Sequence, residues 1–384
     1  MKVSADLILP AQDRGTLFEI CSWDGFRPAT PSAADFPVDV VRFAGSPSPP
    51  VVISRARRAE TLKALPATLR ERATGAFERA GRKPDHLPLA HGRRLDLGQG
   101  PALMGVVNVT PDSFSDGGLF FDRDRAIERA LALFAEGAAV VDIGGESTRP
   151  SNYGEAQEIA VEEEMRRVIP VIEGVRRSSA LPISVDTRKS AVARAALEAG
   201  ADLVNDVSSF RFDPAMATVV AEKGAGAILM HMRGTDPRTM QRDTSYGHPI
   251  AEIAMELAQA LERAAEAGIP AERIAVDPGL GFGKSPEGNL LLLRHLAALR
   301  SFGHPVAVGA SRKGFVRKFS GVGEDSSAAE RLAGSLACLA AAAEGGAAIV
   351  RVHDVADSSR FLRMLAALRA PAIAPARPAG AAAR

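Results

Sequence analysis

The sequence predicts an α/β protein whose main unit is a closed (β/α)8 TIM barrel with an additional N-terminal extension. From Leu103 onwards, short apolar runs of strand length alternate with amphipathic segments of helix length, and this pair recurs eight times. Each apolar run is continuous and does not alternate with polar residues, which is typical of strands buried on both faces in a parallel sheet under helices. The eight pairs span about 270 residues, which is the usual size of this barrel.

An open, doubly wound sheet is the alternative fold for the same alternation of strands and helices. Such a fold often carries a glycine-rich dinucleotide-binding turn after its first strand, and no such turn follows the first apolar run here. We therefore favour the barrel. Its predicted strands are Leu103–Val107, Ala139–Ile143, Ile183–Asp186, Leu203–Val207, Ala227–His231, Ile274–Asp277, Val306–Ala310 and Ile349–His353.

The amphipathic segments between these strands predict the barrel helices. Among them are Arg125–Glu136, Ala191–Ala199, Ile250–Ala267, Gly288–Arg300 and Ala328–Ala343. Glycines placed just beyond helix ends favour left-handed C-caps, because glycine adopts a positive φ without a steric cost. These glycines are Gly137, Gly200, Gly268 and Gly345.

Three regions are predicted along the chain. Residues 1–95 form an N-terminal extension of unknown role, residues 96–369 the barrel, and the Ala- and Pro-rich residues 370–384 a disordered tail. We expect the extension to be a small α/β unit, and it carries no catalytic spacing. The segment 95–104 resembles a hairpin that leads into the first barrel strand.

Within the extension, two short runs have the length and composition of strands. They are Val38–Phe43 and Val51–Ser54. The following stretch, Arg57–Ala80, is helical in character, and Pro66 divides it into two segments because proline interrupts the helical hydrogen bonds.

Composition argues against several functional classes. The chain has 47 Lys and Arg against 46 Asp and Glu side chains, so its net charge of +1 gives no electrostatic basis for binding nucleic acid or an anionic membrane. Only two cysteines are present, which favours a reducing compartment. We find no signal-peptide pattern, and the longest nearly apolar stretch, Leu332–Ala343, is too short to cross a bilayer. We therefore expect a cytoplasmic location.

Polar residues stand at the carboxyl ends of the predicted strands, which is where the active sites of these barrels lie. A single aspartate at such a position often only caps the next helix. Asp186 and Asp277 differ, because with Asn205 they would face one apolar-walled pocket and accept several N–H groups from one ligand edge. A 2-amino-4-oxopyrimidine edge has that donor pattern. In chain order the strand-end residues include Asn108, Asp142, Asp186, Asn205, His231, Asp277, Lys313 and His353.

Lys313, Arg351 and His353 on neighbouring strands form a compact cationic corner. Phosphate sites in this fold favour the segments after strands seven and eight, so the corner indicates an anionic group. Salt bridges between these cations and the acids are the alternative, and the sequence leaves it open. The seven histidines show no zinc-ligand spacing, so we expect His231 to be a core histidine and not a metal ligand.

Six motifs, in order, resemble the dihydropteroate synthase family. The resemblance covers roughly residues 95–365, and after Pro150 the chain reads Ser-Asn-Tyr-Gly where a Gly-Ala-type continuation is commoner. The motifs are Asn-Val-Thr-Pro-Asp-Ser-Phe-Ser-Asp-Gly-Gly (108–118), Asp-Ile-Gly-Gly-Glu-Ser-Thr-Arg-Pro (142–150), Ser-Val-Asp-Thr (184–187), Asp-Pro-Gly-Leu-Gly-Phe-Gly-Lys (277–284), Ser-Arg-Lys (311–313) and Arg-Val-His-Asp (351–354).

This resemblance implies a transferase of folate biosynthesis that is inhibited by sulfonamides. Such an enzyme condenses 6-hydroxymethyl-7,8-dihydropterin pyrophosphate with p-aminobenzoate to 7,8-dihydropteroate and pyrophosphate. We expect a dissociative mechanism, because an arylamine needs no strong general base and departure of pyrophosphate is the difficult step. A magnesium ion and fixed cations would stabilise the leaving group. The resemblance also implies a homodimer.

The resemblance assigns roles residue by residue. For the pterin they fall to Asp186, Asn205, Asp277, Lys313, Met230 and Phe282. For pyrophosphate they fall to Asn108, Arg351 and His353, with Asn108 also binding Mg²⁺. For p-aminobenzoate they fall to Phe114, Thr148, Arg149 and Pro150. The implied catalytic residues are Lys313, Arg351, His353, Asp116 and Arg149.

Two alternative functions stay open at this point. A pterin-binding methyltransferase uses a similar barrel with acidic pterin contacts, but it has no need for a pyrophosphate corner. A non-catalytic homologue could act as a scaffold through the N-terminal extension. In a homologue of that kind the signature segments would be expected to have decayed, whereas here they are intact.

Overall fold

A computed structural model of the protein describes residues 6–22, 31–109, 119–146, 158–323, 325–327 and 329–370, without the side chains of residues 119–122. Within these ranges the chain forms a small antiparallel sheet with helices, a short hairpin and a barrel. The strands of the small sheet are β1 (Leu7–Ala11), β2 (Val38–Arg42) and β3 (Val51–Ser54), and its helices are α1 (Arg14–Ser22), α2 (Arg58–Ala64) and α3 (Ala67–Gly81). The hairpin strands are β4 (His86–Pro88) and β5 (Arg94–Asp96).

The barrel alternates strands with helices, as predicted. Its strands are β6 (Ala102–Asn108), β7 (Val140–Gly144), β8 (Ile183–Asp186), β9 (Leu203–Asp206), β10 (Gly226–Met230), β11 (Ile274–Asp277), β12 (Ala307–Val308) and β13 (Ile349–Val352). Its helices are α4 (Leu119–Glu136), α5 (Val161–Ser178), α6 (Ser190–Glu198), α7 (Met216–Glu222), α8 (Pro249–Glu266), α9 (Pro286–Arg294), α10 (Gly314–Phe319), α11 (Leu332–Glu344) and α12 (Val355–Arg369).

The eight barrel strands run parallel and close on themselves. Hydrogen bonds join them in the order β11-β10-β9-β8-β7-β6-β13-β12. An isolated parallel bridge between Val276 and Val306 connects the two ends of that order. The predicted fold class is therefore confirmed.

Alternate residues of each barrel strand face opposite sides of the sheet. One set, which includes Val141 and Val204, packs outward in a large apolar core with the helices. The other set points into the barrel, where Val140, Leu203 and Ala275 belong to a separate buried cluster. The barrel interior is thus a packed core, and the side chains that can reach its open end are fixed by this two-residue period.

The hairpin of β4 and β5 seals the amino-terminal end of the barrel. Leu89 and Leu95 lie in the same buried cluster as the inward-facing residues of the barrel strands. Glycine at position 226 makes this possible, because a Cβ there would lie 2.7 Å from Leu89 Cδ2. The predicted boundary at residue 95 falls inside β5, so the last part of the predicted extension packs against the barrel.

The small sheet of the extension packs on both faces. Ile8 and Val41 lie on the face that covers α3, while Leu7 and Leu9 lie on the opposite face. The second face belongs to the same apolar core as the barrel helices, together with Leu17 of α1. The extension is therefore joined to the barrel by a shared core.

Polar contacts fix the position of this core. They converge on the 3-10 helix Leu296–Phe302, which follows α9. Ile8 donates its backbone N–H to Ser301 Oγ (3.1 Å), and Arg79 Nε donates to the Ser301 carbonyl (2.7 Å). Arg294 Nη1 lies 2.9 Å from Glu19 Oε2 at the exposed edge of the same contact.

Several local predictions are wrong. The strand β5 pairs with β4 and not with β6, so the hairpin lies at 86–96 instead of 95–104. The predicted helix 288–300 ends at Arg294 and continues as a 3-10 helix beyond the buried His295, where the extension docks. The left-handed residue after α11 is Gly346 (φ +79°) and not Gly345.

The first elements of the extension were missed altogether, for a local reason. β1 contains Pro10, and a proline argues against a strand except at a sheet edge, which is where β1 lies.

Among the described residues, no helix is long and apolar enough to cross a membrane.

The shared core leads to a test on α1, where two neighbouring apolar residues differ in burial. Leu17 is 3 % exposed, whereas Phe18 is 65 % exposed. Leu17→Ala should lower the free energy of unfolding by about 2–5 kcal/mol, because it leaves a cavity in the core common to extension and barrel. Phe18→Ala is the control and should change it by less than about 0.5 kcal/mol. Urea unfolding followed by circular dichroism measures both, and equal effects would contradict the shared core.

Candidate active site

The residues of the candidate site stand two positions beyond the inward-facing core residues of their strands. Val140 is followed on the same face by Asp142, Leu203 by Asn205, and Ala275 by Asp277, since the side chains of a strand alternate with a period of two. On β13, Ile349 is likewise followed by Arg351 and then by His353. The carboxyl ends of the parallel strands meet at one rim, so these side chains converge there.

A charged cluster joins four barrel strands at this rim. Asp142 is fully buried, and its Oδ2 accepts hydrogen bonds from Asn205 Nδ2 (3.0 Å) and Arg351 Nε (2.6 Å). Arg351 Nη2 donates to Asp186 Oδ2 at 2.9 Å. The guanidinium thus bridges two carboxylates with directed hydrogen bonds, which are stronger than contacts between neutral groups.

Two carboxylates, Asp142 and Asp186, share one guanidinium in this cluster, and the pKa of Asp186 reflects this imbalance of charge. Burial, with the negative charge of Asp142 beside it, raises the pKa of Asp186 to about 7, although Arg351 opposes the shift. Burial lowers the pKa of Arg351, but Asp142 and Asp186 raise it by more, so the guanidinium stays charged. Near neutral pH both the protonated and the ionised forms of the Asp186 carboxyl are therefore populated.

Asp277 forms a second acidic position. Its Oδ1 accepts the backbone N–H of Gly279 at 2.6 Å, and no described residue donates to its Oδ2. Burial raises the pKa of Asp277, against the positive charge of Lys313. Lys313 is in turn a weaker base than an exposed lysine, because burial lowers its pKa to about 8. The Lys313 ammonium donates to the Leu280 carbonyl.

The segment after β11 has a conformation that its glycines allow. Gly279 has φ +66°, and a Cβ there would lie 1.9 Å from the His231 carbonyl oxygen, so no other residue fits without a shift of the backbone. Lys284 stabilises the end of this segment. Its Nζ lies 2.8 Å from His231 Nδ1 and donates to the Phe282 carbonyl at 2.9 Å. His231 is 2 % exposed, as a core histidine would be.

An apolar wall stands beside these polar groups. Met230 and Phe282 pack together with Met232 and Met240 in a small buried cluster. The Lys313 ammonium lies 4.8 Å from the centre of the Phe282 ring, at cation–π distance. The rim therefore combines acceptors, one lysine and an apolar surface, which suits a flat heterocyclic ring.

Ser311 and Arg312, the two residues before Lys313, fix the positions of Lys313 and His353. Arg312 adopts φ +61°, stabilised by its ion pair with Asp354 (Nε–Oδ2 3.0 Å) and by a hydrogen bond from its N–H to Ser335 Oγ (3.1 Å). Ser311 Oγ lies 3.1 Å from His353 Nδ1. The segment after β12 and the end of β13 are thus fastened to each other.

The structure brings together most of the predicted site residues, but not in two separate groups. Ion pairing with the acids, the alternative left open above, holds for Arg351. Asn108 ends β6 and is paired in register with Gly144 of β7, two residues beyond Asp142. The remaining predicted residues lie outside the described residues. They are Phe114, Asp116, Thr148, Arg149 and Pro150.

Asp142 stands at a predicted strand end but is not among the residues that the sequence predicts for the site. Its period-two relation to the core residue Val140 is the signal that could have found it. Ser311 supports His353, and Lys284 supports Phe282. These two roles could not be predicted from the strand period, because they depend on which segments of the chain meet in the fold.

Within the part of the chain that the structure describes, a magnesium ion would find few protein ligands at this rim. Among the described residues, no group of three or more His, Cys, Asp or Glu side chains could hold a metal ion. Mg²⁺ commonly keeps several waters and binds through substrate phosphates with only one or two protein ligands. A single carboxamide oxygen such as that of Asn108 fits this mode.

The family described as pterin binding enzymes matches residues 104–353, which is most of the chain. Among the similar curated proteins is the dihydropteroate synthase of a Synechocystis species. It is 43 % identical over 282 residues, which cover 73 % of this chain and 95 % of the relative.

Solved structures give the same result. A dihydropteroate synthase from Xanthomonas albilineans with 4-aminobenzoic acid aligns with a TM-score of 0.69 and 43 % identity, covering 76 % of this chain and 100 % of the other. A second structure of that enzyme is in complex with 7,8-dihydropteroate. The Yersinia pestis enzyme in a sulfonamide drug complex aligns with a TM-score of 0.68 and 40 % identity, covering 74 % of this chain and all of its own. This chain therefore belongs to the dihydropteroate synthase family of pterin-binding transferases.

Proposed function

We propose that the protein condenses 6-hydroxymethyl-7,8-dihydropterin pyrophosphate with p-aminobenzoate, and so forms 7,8-dihydropteroate and pyrophosphate. The observation that carries this proposal is the meeting of acidic acceptors with a cationic group at one barrel rim. Asp186, Asn205 and Asp277 supply the acceptors, and Arg351, which donates to Asp142 and Asp186, supplies the cation. A pterin and a pyrophosphate need these two kinds of group side by side.

The pterin would bind by its amino-pyrimidine edge to the acids. Asp277 keeps Oδ2 for this purpose, since only its Oδ1 is bound by Gly279 among the described residues. Asp142 Oδ1 is buried without a hydrogen-bond donor among the described residues, so a ligand N–H would satisfy it. Met230 and Phe282 would cover the ring, and Lys313 would donate to a ring acceptor.

The pyrophosphate would bind next to Arg351. Nε and Nη2 of this guanidinium are engaged by Asp142 and Asp186, while Nη1 makes no hydrogen bond to a described residue. A guanidinium offers five N–H donors, so it can hold both carboxylates and still donate to a phosphate oxygen. His353 and Asn108 would complete the anion site. When bound there through Asn108, a magnesium ion would neutralise part of the charge on the pyrophosphate.

We propose a dissociative order of events. The C–O bond to pyrophosphate would break first, and the neutral arylamine would then attack the pterin cation. No residue has to act as a strong base, because the amine of p-aminobenzoate is already nucleophilic. The chain's contribution is a fixed set of charges around the leaving group, which costs no reorganisation during the reaction. Phe114, Asp116, Thr148, Arg149 and Pro150 are proposed to complete the p-aminobenzoate site.

We also propose that the protein acts in the cytoplasm as a homodimer and is inhibited by sulfonamides. The sulfonamide complex of the Yersinia pestis relative supports the last point. For the dimer, α12 presents Met364 and Leu368, which are 58 % and 71 % exposed, as apolar surface that a second copy could cover.

Turnover of the two substrates tests the proposed function. The purified protein should form dihydropteroate and pyrophosphate in equal amounts.

Asp277→Asn should weaken pterin binding by about 2–4 kcal/mol, because an amide offers an N–H donor where the carboxylate accepts. Asp96→Asn is the matched control, since that aspartate is 70 % exposed and lies in the hairpin at the other end of the barrel. Pterin affinity within twofold of the parent in Asp277→Asn would contradict the role of Asp277.

The raised pKa of Asp186 predicts a pH dependence of pterin binding. Below about pH 7 the carboxyl is protonated and loses acceptor capacity, and above it the carboxylate forms. Pterin affinity should therefore rise as the pH is raised from 6 to 8. Calorimetric titrations across this range should show a flatter profile for Asp186→Asn, while Asp96→Asn keeps the parent profile. A pH profile unchanged by Asp186→Asn would exclude this assignment.

The dissociative order predicts that p-aminobenzoate binds better once pyrophosphate and Mg²⁺ are bound. We expect an enhancement of about tenfold or more, within the usual range of coupling between two sites. His353→Ala should remove most of it. Arg351→Ala is less suitable, because it also removes the countercharge of Asp142 and Asp186. His86→Ala, an exposed residue of β4, is the control. Equal p-aminobenzoate affinity with and without pyrophosphate would favour direct displacement in a preformed site.

A further inference from the structure

Phe282, which belongs to the apolar wall of the site, stands between two glycines that have a positive φ. Gly281 has φ +83° and Gly283 has φ +67°. Glycine adopts such angles at no steric cost, but it allows many other conformations as well, so the backbone around Phe282 has little rigidity of its own. The place of the Phe282 ring must therefore be fixed by contacts from other parts of the chain.

Three side chains supply these contacts, because they donate hydrogen bonds to three consecutive backbone carbonyls. The pairs are Gln241 Nε2 with Gly281 (2.6 Å), Lys284 Nζ with Phe282 (2.9 Å) and Tyr246 Oη with Gly283 (3.0 Å). The peptide groups on both sides of Phe282 are thus held by side chains.

Two of the donors, Gln241 and Tyr246, lie on the connection between β10 and α8, residues 231–248. Tyr246 is itself held within this connection. The guanidinium of Arg233 lies 4.5 Å from the centre of the Tyr246 ring, and Arg233 Nη2 lies 2.8 Å from Asp243 Oδ2. The hydroxyl of Tyr246 is therefore presented to the glycine segment by a braced ring.

The same connection also packs closely against the glycine segment. A Cβ at Gly283 would lie 2.3 Å from Arg233 Cβ, so this close approach requires glycine. Met240 packs with Met230 and Phe282 in the small apolar cluster beside the site. The connection thus holds Phe282 both by hydrogen bonds to its neighbouring peptide groups and by apolar packing.

A displaced Phe282 would disturb the groups that face the ligand. Its ring lies 4.8 Å from the Lys313 ammonium. The segment that carries it begins at Asp277, whose Oδ1 accepts the Gly279 N–H at 2.6 Å. The wall, the lysine and the acid therefore share one short piece of backbone.

We propose that Gln241 and Tyr246 are positioning residues for the pterin. By holding the carbonyls of Gly281 and Gly283, they fix Phe282 in the place from which its ring covers the bound heterocycle. They act through Phe282 and not on the reacting atoms. This proposal rests on the proposed function, in which Phe282 is part of the pterin site.

Calorimetric titration with 6-hydroxymethylpterin tests the proposal. Tyr246→Phe removes only the hydroxyl that donates to Gly283, and the affinity should fall about threefold to tenfold, as expected for the loss of one hydrogen bond. Gln241→Glu keeps the shape of the side chain but sets an acceptor against the Gly281 carbonyl, so it should act in the same direction. Gln99→Glu is the matched control, since Gln99 is also exposed and follows β5 at the other end of the barrel. It should change the affinity less than about twofold.

A thermodynamic cycle shows whether the effect passes through the ring of Phe282. In the Phe282→Ala background, Tyr246→Phe should change the pterin affinity less than about twofold further, because two residues that act through one contact are not additive. An effect of the same size as in the parent would overturn the proposal.

A purely structural role would give a different pattern. Tyr246→Phe would then lower the fraction of molecules that bind pterin and leave the affinity of that fraction unchanged, which would also overturn the proposal. In steady-state kinetics, the KM for the pterin pyrophosphate should rise by the same factor as the pterin affinity falls, whereas the KM for p-aminobenzoate should change less than about twofold.

Hydrogen exchange provides a measurement that needs no ligand. Peptides that contain Phe282 should exchange faster in Tyr246→Phe and Gln241→Glu than in the parent and in Gln99→Glu, and equal exchange in all four would overturn the proposal. If the parent protein makes no dihydropteroate, the proposed function fails, whereas hydrogen exchange still decides whether the two side chains hold the segment.

Discussion

In this closed barrel, the two-residue period of the parallel strands fixes both the core and the site. Every second side chain of a strand must point into the barrel, and the interior has room for only a few layers. At the hairpin end these positions are apolar, as with Val140 and Ala275. Two residues further along they are polar, as with Asp142 and Asp277. A shift of one residue in either strand would bury its carboxylate under the helices, so core packing and site geometry are specified by the same register.

Charge balance decides what this rim can bind. Asp142 is completely buried, and that burial is tolerable because Arg351 and Asn205 donate to it. Arg351 also serves Asp186, so the local set carries more negative than positive charge, and the pKa of Asp186 rises. A ligand edge with several N–H donors supplies what this set lacks. An anionic ligand instead needs Arg351 to remain charged, which its raised pKa ensures.

The parts of the chain outside the barrel strands support this arrangement from two sides. At the amino-terminal end, Leu89 and Leu95 of the hairpin fill the barrel interior below the site. On the outside, the extension packs against the 3-10 helix Leu296–Phe302 and shares its core with the barrel helices. This helix directly precedes β12, the shortest barrel strand, after which Lys313 follows. The extension thus buttresses the region of the barrel that has the fewest strand hydrogen bonds of its own.

The eight-unit barrel and the strand-end residues of its rim could be predicted from the sequence, because both depend on local patterns: apolar runs of strand length, and polar residues at their ends. It also carried the motifs that place the chain in its family. Which of these residues pair with one another could be seen only in the folded barrel. Arg351 and Asp142 are separated by 209 residues along the chain, and Lys189 meets Glu146 and Ile159 from a different strand end. The docking of β1, a strand that contains Pro10, could not be predicted from local patterns either. Such pairings depend on barrel closure and strand order, which bring distant strand ends together, and no local pattern encodes the distance between them.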